Sequence, residues 1–137
     1  MTERNYVLDT NIISALRRPE INPDVVEWIA EIPLENLFTT AFNLFEIEHG
    51  VVKKEREDAR QGAVLRAWFE DQVLTTFASR ILEFDHAAAR ILAQFPVPER
   101  APLEDALIAA IAVANGMVVV TKNMRHFEPL GIEVQGF

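Results

Sequence analysis

The chain contains no cysteine, which excludes disulfides and thiolate-held zinc outright. Long hydrophobic runs are missing too. The longest, residues 106–114, falls far short of the roughly 20 apolar residues that a bilayer crossing takes, so no membrane partner is expected. The start, Met1-Thr2-Glu3-Arg4-Asn5, lacks the apolar core of a secretory signal, and a cytoplasmic protein is the expectation. There is no internal repeat, low-complexity tract or linker-like stretch, so residues 1–137 are expected to form a single domain. Positive charge is also in short supply: 13 Lys and Arg stand against 21 Asp and Glu, a net charge of -8. A protein gripping a long nucleic acid over a wide surface would be basic, and this one is not. Surplus acid suits solubility, a divalent-cation site or a basic partner. Basic residues do gather locally, at Arg17/Arg18, Lys53/Lys54/Arg56 and Lys122/Arg125.

What is present is ordinary globular material, 50% apolar and 25% charged, in a length that can bury about two thirds of its unfolded surface. Tyr6-Val7-Leu8 runs into Asp9 and then into a helix start, which reads as a short buried strand ending in a carboxylate. Open α/β sheets put their ligand crevice at that end of a strand. Residues 10–18, with Ile12, Ile13 and Leu16 on one face, predict a helix stopped by Pro19. A second helix starts at Pro23, capped by Asn22, and ends before Pro33. Residues 37–40 read as a strand and 41–56 as a helix. On a helical wheel Leu44, Phe45, Ile47, Val51 and Val52 share a broad apolar face; Glu48 falls in its middle while Glu46 lies opposite, near Lys53. Residues 58–76 predict a helix or helical hairpin packed on the outside. Residues 80–84 form a strand, and 86–95 a helix capped by Asp85. A proline-stiffened loop spans 96–102. Glu104-Asp105 opens a helix through Ala114 that is apolar all round and therefore buried. Residues 117–121 are an interior parallel strand, 122–126 a loop, and 132–134 an edge strand. Strands alternating with helices predict an α/β fold: a three-layer α/β/α sandwich around a mainly parallel sheet.

Three acids hold unusual places: Asp9 ends a buried strand, Glu46 follows the second strand, and Asp105 is the polar entry to an apolar helix. Right-handed crossovers would carry all three to one edge of the sheet. Each alone has a plainer explanation, a helix N-terminus for Asp9 and Asp105 and a solvated face for Glu46. Crowded together they would repel unless a cation sat between them, and an all-oxygen cluster suits Mg²⁺ or Mn²⁺.

Leu8-Asp9-Thr10-Asn11-Ile12-Ile13-Ser14, Phe45-Glu46-Ile47 with Gly50, Asp105-Ala106-Leu107-Ile108-Ala109-Ala110, and Val120-Thr121-Lys122-Asn123 with Phe127 resemble the four ordered motifs of PIN-domain proteins, and within them the VapC-type ribonuclease toxins. The resemblance implies a PIN-like sandwich, a Mg²⁺ or Mn²⁺ site and endoribonuclease activity on RNA. It also implies a homodimer and a toxin-antitoxin hetero-oligomer with a small VapB-like antitoxin whose tail enters the active site. Carried over by position, Asp9, Glu46 and Asp105 are the catalytic, metal-binding acids, and the resemblance chooses Glu46 over Glu48. Thr10, Asn11 and Thr121 would tune the site through hydrogen bonds. Many relatives have a further acid in the fourth motif, where this chain has Asn123 and His126. His126 is open to a role as proton shuttle, phosphate contact or water-mediated metal neighbour, or to none. Lys122 and Arg125 are candidate RNA contacts. Two rivals remain: an aspartyl-phosphate phosphatase of haloacid-dehalogenase type using Asp9 as nucleophile, although Asn11 stands where that chemistry wants a second acid, and a catalytically inactive PIN-like binding module.

Overall fold

The computed structural model describes residues 4–137. Its sheet has five parallel strands in the order β3-β2-β1-β4-β5, with β1 (Tyr6–Leu8) at the centre. On one side β1 pairs with β2 (Leu37–Thr40), which pairs with β3 (Ile81–Leu82). On the other it pairs with β4 (Val118–Thr121), which pairs with β5 (Val134–Gly136). The chain therefore winds outward from β1 in one direction and then in the other, and the carboxyl end of β1 is the switch point where such sheets bind ligands.

Strand residues alternate between the two faces, and so build two cores. Leu8, Leu37 and Val120 join Ile12 and Ile13 of α1 (Thr10–Leu16), Val25 of α2 (Pro23–Ala30) and Ile47 and Val51 of α3 (Ala41–Glu57). Val7 and Val119 face the other way, onto Ala106, Ile108, Ala109 and Ala112 of α7 (Leu103–Ala114). α7 has a second buried side, where Ala110 and Ile111 meet Ala88 of α6 (His86–Leu92). That double burial is why its sequence is apolar all round. The three-layer α/β/α arrangement with a parallel sheet is thus the observed fold.

Several local expectations are corrected. α4 (Ala59–Trp68) passes through a π-helical turn at Phe69–Val73 into α5 (Leu74–Phe77). Phe69, Val73 and Phe77 are buried in the first core, so this segment packs inward along its second half. Asn22 precedes α2 but makes no capping bond; its amide donates back to the carbonyls of Ala15 and Arg18. Residues 122–126 contain the start of a helical turn, α8 (Met124–Phe127), whose Phe127 is buried. The last strand begins two residues later than expected, because Gly131 at φ 66° turns the chain out of the 3-10 turn Glu128–Leu130 before it can pair.

Candidate active site

The Asp9 backbone N–H still donates to Val120 in the sheet, at 2.9 Å, while its side chain caps α1. One residue thus closes a strand and opens a helix, and this fixes its carboxylate at the sheet edge. Both oxygens are engaged. Oδ1 accepts from the Thr10 N–H at 2.8 Å and the Asn43 amide at 3.4 Å; Oδ2 accepts from the Thr121 hydroxyl at 2.8 Å and the Asn11 amide at 3.4 Å. Asn11 also donates to the Thr121 hydroxyl oxygen.

β2 ends in Thr40, which caps α3 by accepting the Asn43 N–H and returns its own hydroxyl proton to Asn43 Oδ1 at 2.7 Å. Asn43, fully buried, then donates to the Thr10 hydroxyl oxygen at 3.0 Å, and that hydroxyl donates to Glu46 Oε1 at 2.7 Å. Glu46 is half-buried and tied to Thr10, the residue beside Asp9. Glu48, which the wheel favours, is exposed and pairs with Arg66 at 2.7 Å. The wheel errs because Phe45, counted on the apolar face, is 57% exposed; the buried stripe of α3 is Asn43, Ile47 and Val51. Asn43 is a site residue that the sequence reading missed. Its signal was there, in the Thr40-x-x-Asn43 capping spacing.

The third acid, Asp105, lies in the first turn of α7, with its Oδ2 2.9 Å from His126 Nδ1. Lys122 donates its N–H to Asn11 Oδ1 and its ammonium to Asn22 Oδ1. Asn123 donates its N–H to the Thr121 hydroxyl oxygen. Arg125 lines an adjoining hollow together with Lys122, Asn123, His126 and Glu128.

The electrostatics of the trio are distinctive. Burial pushes Asp9 above its ordinary carboxylate range, opposed by the bonds from Thr121, Thr10 and Asn43. Glu46 is raised by burial and by the charges of Asp9, Asp105 and Glu104, against the Thr10 hydroxyl. Asp105 is raised by burial and by Asp9, with His126 acting the other way. The three acids, from three separate parts of the chain, lie within electrostatic reach of one another, Glu46 of both Asp9 and Asp105 and Asp105 of Asp9. Among the described residues no group of three His, Cys, Asp or Glu side chains forms a ready-made cation cage. Mg²⁺ does not require one, since it keeps several waters and takes one or two carboxylates. Mutually repelling hard-oxygen donors fit it, Asp9 and Asp105 first and Glu46 beside them.

Comparison with known proteins identifies the family. The PIN domain family profile matches residues 6–130. Ribonuclease VapC14 of Mycobacterium tuberculosis is 49% identical over 72 residues, 53% of this chain and 70% of that protein. VapC ribonuclease Y4jK of Sinorhizobium fredii is 32% identical over 93% of this chain and 94% of its own length. Among solved structures, FitAB bound to the IR36 DNA fragment superposes with a TM-score of 0.85 at 32% identity, covering 96% of this chain and 94% of the matched one.

Proposed function

The chain belongs to the PIN domain family, and from that premise we propose that it is a metal-dependent endoribonuclease, the toxin of a type II toxin-antitoxin pair. The observation that carries this reading is the raised, mutually repelling trio of Asp9, Glu46 and Asp105 at the switch point of the sheet. Asp9 and Asp105, with Glu46 beside them, would hold Mg²⁺ or Mn²⁺, which when bound lowers the pKa of a water and offsets negative charge on the phosphate during in-line displacement. In that displacement a water oxygen bonds to phosphorus as the bond from phosphorus to the sugar oxygen breaks. Thr121, Asn11, Asn43 and the Thr10 N–H hold the Asp9 carboxylate in one orientation, and the Thr10 hydroxyl does the same for Glu46. Fixed carboxylates spare the reaction the cost of reorganising them.

The phosphatase reading is the weaker one, because that chemistry wants a second acid two residues after the nucleophile and Asn11 stands there, donating its amide to Asp9 Oδ2. A homodimer and a hetero-oligomer with a VapB-like antitoxin follow from the family reading, supported by the FitAB assembly seen in the similar structure. The test is incubation of purified, antitoxin-free protein with single-stranded RNA. Cleavage is expected with Mg²⁺ or Mn²⁺ and is expected to be lost in EDTA. No cleavage with either ion would overturn the reading in favour of a binding module.

A further inference from the structure

From the acid site a cleft of about 610 Å³ runs along the line where α1, α3 and α4 meet, with Glu46 at its acid end and Arg17, Arg18, Lys122 and Trp68 on its walls. We propose that this cleft seats the single-stranded RNA next to the cut bond, one base stacked between Trp68 and Arg17 and the neighbouring phosphates on Arg18 and Lys122. The proposal rests on the ribonuclease reading and deepens it.

Charge favours a polyanion here. The protein carries a net charge of -8, and among the described residues three of its Lys and Arg, namely Arg4, Lys54 and Arg66, are paired with a carboxylate; what distinguishes the cleft is that three of the others meet in it. Arg17, Arg18 and Lys122 form no ion pair among the described residues, although they share one cleft. Lys122 is held in place by Asn22 at 2.8 Å on its ammonium and by Asn11 at 3.0 Å on its backbone N–H. It follows Thr121, which touches Asp9, so a cation is fixed at the rim between the acids and the cleft. A strand whose scissile phosphate lay at the acids would meet it next.

The second argument is the ring. Trp68 is half-buried, its inner side packed on the first core, and the exposed Arg17 lies over it with Cζ 5.8 Å from the ring centroid. A guanidinium over an indole face is a pair of flat surfaces, and either can stack a base; Arg17, on the solvent side, is free to lift and close over one. The π-helical turn begins directly after Trp68, and such insertions often mark functional positions. Only a base already splayed out of a helix could enter, so the cleft selects single strands.

Binding is read in Asp9→Asn protein, to prevent cleavage, carrying Trp28→Phe. Trp28 packs edge-on against Tyr6 and Phe137, away from the cleft, so the remaining emission comes from Trp68. Short single-stranded RNA of randomised sequence is expected to quench it, and a duplex of the same length is not. Trp68→Leu is expected to weaken binding about 5- to 150-fold, the loss of one base–aromatic stack. Arg18→Ala and Lys122→Ala are each expected to lower the slope of log affinity against log salt by about 0.7. Arg17→Ala, at an exposed position that leaves the core intact, weakens binding even if Trp68→Leu fails to fold. If RNA is cut by the unmodified protein yet binds without quenching, at unchanged affinity in Arg17→Ala, the cleft proposal is overturned and the ribonuclease reading stands. If the unmodified protein neither cuts nor binds RNA with Mg²⁺ or Mn²⁺, both fall. Quenching by a polyglutamate peptide and not by RNA would overturn the proposal in favour of a protein-docking groove.

Discussion

Two groups of acids in this chain are treated in opposite ways. On the outer side of the α3–α4 hairpin, Glu48 and Glu55 flank Arg66, whose guanidinium bonds Glu48 at 2.7 Å and grips Glu55 with two bonds of 3.0 and 3.1 Å. That fork lowers Glu55 below the ordinary glutamate range. At the carboxyl edge of the sheet, Asp9, Glu46 and Asp105 face one another with a histidine, not an arginine, against Asp105, and all three are raised. Both groups are carboxylates. The hairpin acids are matched by an arginine, whereas the edge acids are left in excess, and on the proposed function their counter-charge is a divalent cation. Unmatched charge that the fold tolerates at a concave edge is therefore a better marker of function than acidity itself.

The sharpest way to break this contrast is Asp9→Asn. It removes the charge while keeping size and the Thr10 N–H acceptor, and RNA cleavage is expected to fall at least about 100-fold, the scale of losing one fixed electrostatic group from a site. Cleavage within a few-fold of the unmodified protein would detach the edge acids from the chemistry. On the hairpin side, Gly62→Ala is the strongest perturbation. A Cβ there would stand 2.5 Å from the Glu55 Cα, and backbone cannot yield as a side-chain tip can. The expected cost is about 1–3 kcal/mol in urea unfolding, since α4 must back away from α3 and take Arg66 with it. Unchanged stability would mean that the hairpin is not held closely by its Arg66 clamp.

How far these two regions can be read from sequence differs for a physical reason. β1, β4 and α7 are buried on both sides, so their apolar runs announce them, and Asp9 and Asp105 stand out as acids at the ends of such runs. α3 is half-covered, and which half depends on a layer the sequence does not show. Counting Phe45 as interior turned the wheel toward Glu48, while the true inner face begins with the polar Asn43. Only the family resemblance selected Glu46. The Arg17–Trp68 contact joins residues far apart in the chain, and no local pattern signals a cleft made by three helices. Nor does the start of the final strand follow from its apolar residues: the chain leaves the 3-10 turn through Gly131 in the left-handed region, and pairing begins only at Val134.

The smallest effects come from one substitution made in both places, followed over pH in metal-free buffer. Glu46→Gln keeps an oxygen for the Thr10 hydroxyl and removes a charge that burial and its neighbours disfavour, so the variant is expected to melt above the unmodified protein at neutral pH. A raised folded pKa means that the ionised group costs stability, and the cost sets in as pH climbs from the ordinary glutamate range through the raised value. The two melting curves should therefore merge in acid. Glu55→Gln works with the reverse sign. A lowered folded pKa means stability that is fully present above the ordinary range and lost as pH falls through the lowered value, so this variant melts lower at neutral pH and rejoins the unmodified protein in acid. Exposure keeps the Glu55 effect the smaller of the two, and added salt should shrink it further, while half-buried Glu46 is screened less. Melting shifts of the same sign for the two variants at neutral pH would mean that the hairpin and the edge handle their acids alike, and the marker of function drawn from their difference would be lost.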